Sequence, residues 1–426
     1  MIETADWPAP RRPYRYTVIA LCFAATFLCY IDRVNISVAI IAMATEYGWD
    51  KTLQGSVMSA FFIGYLLTQI AGGWLADRFG GKPVLAGGVV IWSLFTALTP
   101  PAAAGGLAAL LVARIGMGVG EGVSFPSIYS LFSRWVPTQE RSRAVGLVFS
   151  AIPLGTVFAL VVTPWIVVRF GWPWAFYAFA ALGLIWYGIW QAQVTSSPEQ
   201  HPRVGAAELR ALQPEAGATA ASQRPPLSAL LGSSAVWAIV VCHFCNNWGG
   251  YVLLSWLPTY LNERLDVDLA SVGLFAMAPS IVSFLFLNAA GAVGDALLRR
   301  GIPTRTVRKL MQTIGFGAIA TALLIVPHVD TAPLAIGVMC ASSALGAAVA
   351  AGFATNHLDI APRHAGVVMG LSNTAGTLPG VIAVPLSGWI VEATGSWELV
   401  FQLAAGVKIF GLLFYLAFAK GEKLFD

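Results

Sequence analysis

The chain has 426 residues, 57% of them hydrophobic and only 11% charged, with 15 Trp and a formal charge of +4; its mean hydropathy is +0.72. That balance excludes a soluble globular domain, which is usually about 25% charged, and points to an integral membrane protein. The small net charge says little in total, but its distribution says more.

Apolar runs of the ~20 residues that cross a bilayer recur about twelve times. In chain order they begin near Tyr16, Thr52, Pro83, Gly105, Arg143, Trp172, Ser233, Ala270, Lys309, Ala332, Gly366 and Ser396. The stretch before Tyr16 is polar and proline-rich, and the first run is long enough to stay as a span, so no cleavable signal peptide is expected. Placing the N-terminus in the cytoplasm and alternating sides puts most loop Lys and Arg inside, among them Arg11, Arg12, Arg15, Arg78, Lys82, Arg224, Arg299, Arg300 and Arg363. Only Lys51, Arg169 and Arg264 then fall outside. This is the asymmetry of the positive-inside rule, with both termini cytoplasmic. Cys22, Cys29, Cys242, Cys245 and Cys340 all lie within runs and read as small apolar fillers, not as disulfide partners.

The hydrophobic rhythm breaks once, over Thr195 to Leu227, which is polar and rich in Pro and Ala. It reads as a cytoplasmic linker, dividing the chain into six-span halves at 1–194 and 229–426 with a linker at 195–228. The halves look related. Asp77 follows the second span and Asp295 the eighth, at an offset of 218, while Pro137 and Pro362 match at 225. Two similar offsets indicate a duplicated six-helix unit, hence an all-α membrane fold of twelve transmembrane helices in two pseudo-symmetric bundles.

Asp32 and Glu121 are the acids deepest in apolar runs, and Arg33, Arg114 and Lys408 the bases. A charge at such depth costs roughly 2.5–3.5 kcal/mol on insertion scales, more than helix packing alone explains for four charges in two spans. Glu121 follows Arg114 by seven residues, so the two share a helix face with a rise near ~10 Å. Asp32 and Arg33 are adjacent and diverge, so each needs a partner from another helix or water. A central polar site follows, in which Arg33 and Arg114 hold an anion through their guanidinium forks while Asp32 and Glu121 take and release protons. Protonated acids leave the arginines free to load the anion, and ionised acids compete for them. Lys408 could snorkel or line a cavity. Gly116, Gly118, Gly120 and Gly122 resemble a phosphate loop but lie in a span, where close helix packing is the better reading. In the second half Asn246, Asn247, Tyr251, Ser372 and Asn373 can hydrogen-bond a cargo or a neighbouring helix. The five His are scattered over different segments, which argues against a metal or catalytic cluster and against an enzyme.

The segments "YIDRVNISVAI", "FFIGYLLTQIAGGWLADRFGGK", "RIGMGVGEGVSFPS", "SRWVPTQERSRAVGL" and "NHLDIAPRHAGVVMGLSNTAGTLPG", in this order, closely resemble the major facilitator superfamily. Within it they resemble the anion transporters that include plant phosphate transporters, sialin, vesicular glutamate transporters and bacterial galactonate and hexuronate symporters. The resemblance implies alternating access with cargo bound midway between the halves. It implies substrate contacts at Arg33, Arg114, Tyr30, Tyr65 and Asn373, proton coupling at Glu121 and Asp32, and a gate latch at Asp77, Arg78 and Lys82. The vesicular glutamate transporters have an arginine where this chain has Asn246 and a histidine where it has Met58, which puts glutamate in doubt. The expectation is a proton-coupled anion symporter of the plasma or inner membrane, with sodium coupling as the alternative. A drug exporter would want acids unmatched by arginines. No cofactor or metal is expected beyond the coupling ion H+ or Na+, and the expected partners are a small anionic substrate and the lipid bilayer, without nucleic acid, for a monomer.

Overall fold

Backbone N–H and C=O groups have no water to bind inside a bilayer, so each apolar run closes its hydrogen bonds internally as a helix. The computed structural model describes residues 13–212, 227–362 and 364–425. Arg11, Arg12, Arg224, Arg363 and residues 213–226 of the expected linker lie outside the described residues.

The helices are α1 (Arg15–Tyr47), α2 (Lys51–Phe79), α3 (Gly81–Ala104), α4 (Leu107–Glu121), α5 (Ser124–Trp135), α6 (Thr138–Phe170), α7 (Trp172–Gln193), α8 (Ala206–Leu212), α9 (Leu227–Leu231), α10 (Ser234–Arg264), α11 (Leu269–Arg299), α12 (Thr304–Ile325), α13 (Ala332–Gly346), α14 (Phe353–Ile360), α15 (Ala365–Thr394) and α16 (Trp397–Phe418). α4 with α5 forms the fourth span, and α13 with α14 the tenth. Ten segments are long and apolar enough to cross a bilayer, and α2 is an eleventh although its arms Lys51–Gln69 and Ala71–Phe79 bend by 47°. The twelfth is α10, of 31 residues, diluted by His243, Asn246 and Asn247.

α1 to α7 build one bundle and α10 to α16 the other. The duplication extends to the helix caps. Asp50 accepts from Leu53 N (2.7 Å) at the start of α2, and Asp268 accepts from Ser271 N (3.0 Å) at the start of α11. These caps stand at the same offset, 218, as Asp77 and Asp295. Gly118 explains the tight seam between α2 and α4: a Cβ there would lie 2.0 Å from Phe61 O. The glycine run is therefore a packing surface, as its sequence suggested.

For reference, the terminal face is the one on which α1 starts and α16 ends, and the far face is the opposite one. The bundles meet along α2 with α15 and along α6 with α11. Their contacts cluster toward the far face. Lys51 N donates to Glu392 Oε2 (2.9 Å), and Lys51 Nζ pairs with Glu263. A Cβ on Gly388 would lie 2.2 Å from Lys51 O, and one on Gly273 1.7 Å from Leu160 O. The innermost polar bridge is Thr377 Oγ1 to Gln69 Oε1 (3.3 Å), immediately before the bend of α2. Nearer the terminal face, no hydrogen bond or ion pair joins the bundles among the described residues. The polar and close glycine contacts between the bundles thus lie toward the far face.

Part of the linker clasps the start of α1. Glu208 of α8 accepts from Tyr14 N and Arg15 N (both 2.9 Å), placing a carboxylate on a helix N-terminus. Arg15 also grips Glu140 at the start of α6 through two bonds of 3.0 and 2.9 Å. His201 stacks on Tyr14 with ring centroids 4.0 Å apart.

Candidate functional site

The buried charges of α1 and α4 converge at mid-span. Asp32, Arg33, Arg114 and Glu121 are 2%, 6%, 1% and 0% exposed. Arg33 Nη2 donates to Glu121 Oε2 at 3.0 Å, and the Cys29 thiol reaches the same oxygen at 3.0 Å. The Arg33 guanidinium also sits among three rings, with centroids at 4.9 Å (Tyr30), 4.8 Å (Phe61) and 4.7 Å (Tyr65). Aromatic faces stabilise a cation without neutralising it. Expected site residues Arg33, Glu121, Tyr30 and Tyr65 are thus brought into direct contact.

Arg114 differs. It lies within electrostatic reach of both Glu121 and Asp32 but forms no ion pair among the described residues; its Nη1 donates to Met117 Sδ (3.0 Å), and its carbon centre lies 5.7 Å from the Phe61 ring. The shared face of Arg114 and Glu121 therefore yields proximity, while the bond of Glu121 goes across to α1. Asp32 lies beside Trp92 and bonds to neither arginine. Among the described residues Asp32 Oδ1, Arg33 Nε, Arg114 Nε and Glu121 Oε1 have no protein hydrogen-bond partner. Buried polar atoms are almost always satisfied, so this cluster retains capacity to bind water or an anion.

The second bundle supplies the opposing wall. The Tyr251 ring packs 4.5 Å from Phe62 of α2, and Tyr251 lies within reach of Arg33. Asn247, one turn earlier on α10, donates to Gly376 O at 2.8 Å. Asn373 is half-buried on α15, and its carbonyl accepts from Thr377 Oγ1 at 3.0 Å. Among the described residues it makes no hydrogen bond to either arginine. Asp77 and Arg78 are exposed at the end of α2, where Arg78 lies over Trp74 and Phe79 (5.2 and 5.5 Å). The carbonyl of Lys82 accepts from Trp190 Nε1 at 3.3 Å. Among the described residues these three make no hydrogen bond or ion pair to the second bundle.

Several contacts were missed by reasoning from sequence. Cys29 was read as filler, yet it stands one turn before Arg33 and contacts the same carboxylate. Lys408 does not snorkel: it is 2% exposed. The histidines are less scattered than their spacing implies, because Ser372 Oγ lies 3.2 Å from His243 Nδ1 and 2.9 Å from His357 Nε2. Chain folding at α15 brings these two segments together, which spacing alone cannot reveal. No metal-binding group of His, Cys, Asp or Glu occurs among the described residues. An apolar cavity of about 260 Å³ lies between α1, α6 and the second bundle, lined by residues such as Val34, Leu160 and Leu254. It contains neither arginine, so the charged cluster and not this cavity is the candidate site.

Residues 22–384 match the Major Facilitator Superfamily. The sodium-dependent phosphate transport protein 1, chloroplastic, of Arabidopsis thaliana is 43% identical over 97% of this chain and 81% of its own length. The ascorbate transporter, chloroplastic, of the same plant is 43% identical over 97% of this chain and 76% of its own. Among solved structures, a bacterial homolog of the human lysosomal transporter Spinster, inward-facing and unoccupied, superposes with a TM-score of 0.76 at 17% identity, covering 96% of this chain and 97% of that one. At that identity the likeness is one of fold.

Proposed function

The chain belongs to the Major Facilitator Superfamily, and on that premise we propose that it is a secondary active transporter carrying a small organic or inorganic anion together with protons by alternating access. The observation that carries this reading is the 3.0 Å pair between Arg33 and Glu121 beside an Arg114 that has no ion-pair partner among the described residues. An anion takes Arg114 directly but must displace Glu121 from Arg33. A proton on Glu121 removes that competitor, so anion and proton load together and leave together.

In this scheme Arg33 and Arg114 bind the anionic group, Tyr30, Tyr65 and Asn373 line the cargo, and Asp32 is the second protonatable acid. Asp77, Arg78 and Lys82 serve as the latch that closes the terminal face. The halves at 1–194 and 229–426 rock about the bound cargo, joined by the linker at 195–228. The terminal face is cytoplasmic by the positive-inside rule, in a plasma or inner membrane.

Sodium coupling is the second reading, favoured by the name of the phosphate-transporting relative. Reconstituted protein offered phosphate, ascorbate, glutamate, hexuronates, aldonates and sialic acid, under separate proton and sodium gradients, decides between them. Accumulation on a pH gradient with no sodium supports the proton scheme. Accumulation that requires sodium, or none on either gradient, overturns it.

A further inference from the structure

Lys408 of α16 is a buried base of the second bundle, and unlike Arg308, which pairs with Asp359, it has surroundings free of acids among the described residues. Its ammonium donates to Asn246 Oδ1 (2.9 Å) and Asn246 O (3.2 Å) and lies 4.2 Å from the Phe316 ring centroid. No carboxylate pairs with it among the described residues. From Asn246 the chain continues: Asn246 Nδ2 donates to Asn247 Oδ1 (3.3 Å), and Asn247 Nδ2 donates to Gly376 O (2.8 Å). Three helices, α16, α10 and α15, are threaded by one run of hydrogen bonds.

The direction of that run is not free. An amide side chain can be turned end for end, and only its partners decide which way it points. An ammonium has donors and no acceptor, so Asn246 must turn its oxygen to Lys408 and its NH2 to Asn247. A backbone carbonyl has acceptors and no donor, so Asn247 must turn its NH2 to Gly376. Both ends impose the same polarity. Each asparagine oxygen already accepts one bond within the run, and each NH2 keeps one N–H unspent. Asn247 shares its face of α10 with Tyr251, one turn on, which packs against Phe62 beside the Arg33 cage. The run therefore holds the Asn247 amide in one orientation, with an N–H left to offer on the side of the second bundle that carries Tyr251.

We propose that Lys408 is a positioning residue which, acting through Asn246, fixes the Asn247 amide as a hydrogen-bond donor for the cargo. The donor stands on the bundle opposite Arg33 and Arg114, so it serves an anion with its acidic group at one end and hydroxyl or carbonyl oxygens at the other, a hydroxylated organic acid in preference to a compact oxyanion. This rests on the anion-transport reading and specifies the class of anion.

The test measures equilibrium binding of labelled ascorbate and labelled phosphate to the full chain in lipid nanodiscs. It compares wild type with Lys408→Met, Lys408→Arg, Asn247→Leu and the Lys408→Met/Asn247→Leu pair. Ascorbate affinity should fall about tenfold in Lys408→Met and in Asn247→Leu, the scale of one lost hydrogen bond, and no further in the pair. Lys408→Arg, also donor-only, should restore it, and phosphate affinity should change less than about twofold. Wild-type ascorbate affinity in Lys408→Met, equal losses for both anions, or losses that multiply in the pair would each overturn the assignment. If Lys408→Met does not fold, Asn247→Leu decides alone, by the same contrast between the two anions. A wild-type protein that binds neither probe also overturns it, whereas one that binds ascorbate but fails to concentrate it on a pH gradient refutes only the proton coupling.

Discussion

Replacing Glu121 with Gln tests the coupling scheme at its centre. Gln keeps the shape and one acceptor oxygen for Arg33, so the 3.0 Å contact can persist, but the negative charge is gone at every pH. Two charges ~4 Å apart attract by about 4 kcal/mol at an effective dielectric near 20. Burial offsets much of this, and if about a third to a half survives, an incoming anion faces roughly 1.4–2 kcal/mol of competition for Arg33. Removing it should tighten anion binding about ten- to thirtyfold at alkaline pH and flatten the pH dependence of affinity. Counterflow exchange should continue while accumulation on a pH gradient fails. Binding in nanodiscs and uptake into proteoliposomes measure the two arms. A Gln variant whose affinity still weakens with rising pH as in wild type, or which still concentrates anion, would refute the competition mechanism.

Arg114→Ala should reduce uptake roughly a hundredfold or more, the effect of truncating a buried charged contact, with normal amounts of protein in the membrane; near-normal uptake would remove Arg114 from the site. Lys51→Met should loosen the far-face seal by no more than about fivefold, because part-exposed pairs contribute about 0–1 kcal/mol; the labelling rate of a cysteine introduced at Ser59 reads this, and an unchanged rate would assign the seal to glycine packing. Gly118→Ala forces a methyl to within 2.0 Å of Phe61 O and should destabilise by about 1–3 kcal/mol, visible as a lower melting temperature. The linker clasp should weaken in acid. Burial holds His201 below its ordinary value of 6.5, and its Nδ1 accepts from Arg203 N (3.2 Å), which a second ring proton would break. The Arg15 hydrogen bond holds Glu140 below its usual 4.5. In both cases the unfolded chain binds more protons, so the stability is complete above the unfolded values and is lost as pH falls through the lower folded ones. Thermal melts that do not shift downward below about pH 6.5 would contradict the His201 part.

The spans, the duplication and the four buried charges of the first bundle were legible because each depends on local composition or fixed spacing. Which charge meets which was not. A seven-residue interval correctly places Arg114 and Glu121 on one face, but the angle at which α4 crosses α1 decides that Glu121 bonds Arg33, and no local pattern encodes that angle. For the same reason Cys29, read as a small apolar filler, proves to line the charge cluster together with Phe61 and Met117. α10 read as a span although His243, Asn246 and Asn247 dilute it; those polar residues have partners on α15 and α16 that only the packed bundle supplies. The Ser372 link between His243 and His357 likewise joins residues more than a hundred positions apart in the chain.

The 47° kink of α2 falls beyond Gln69, so the arm past it is only Ala71–Phe79. Nine residues measure about 13 Å, and straightening such a lever sweeps its tip through roughly 10 Å, about the width of a helix. Asp77 and Arg78 ride on that tip. Straightening that arm as the halves rock would carry both latch residues across the terminal face, so stapling it in its bent position should jam the cycle without touching the charges at the centre.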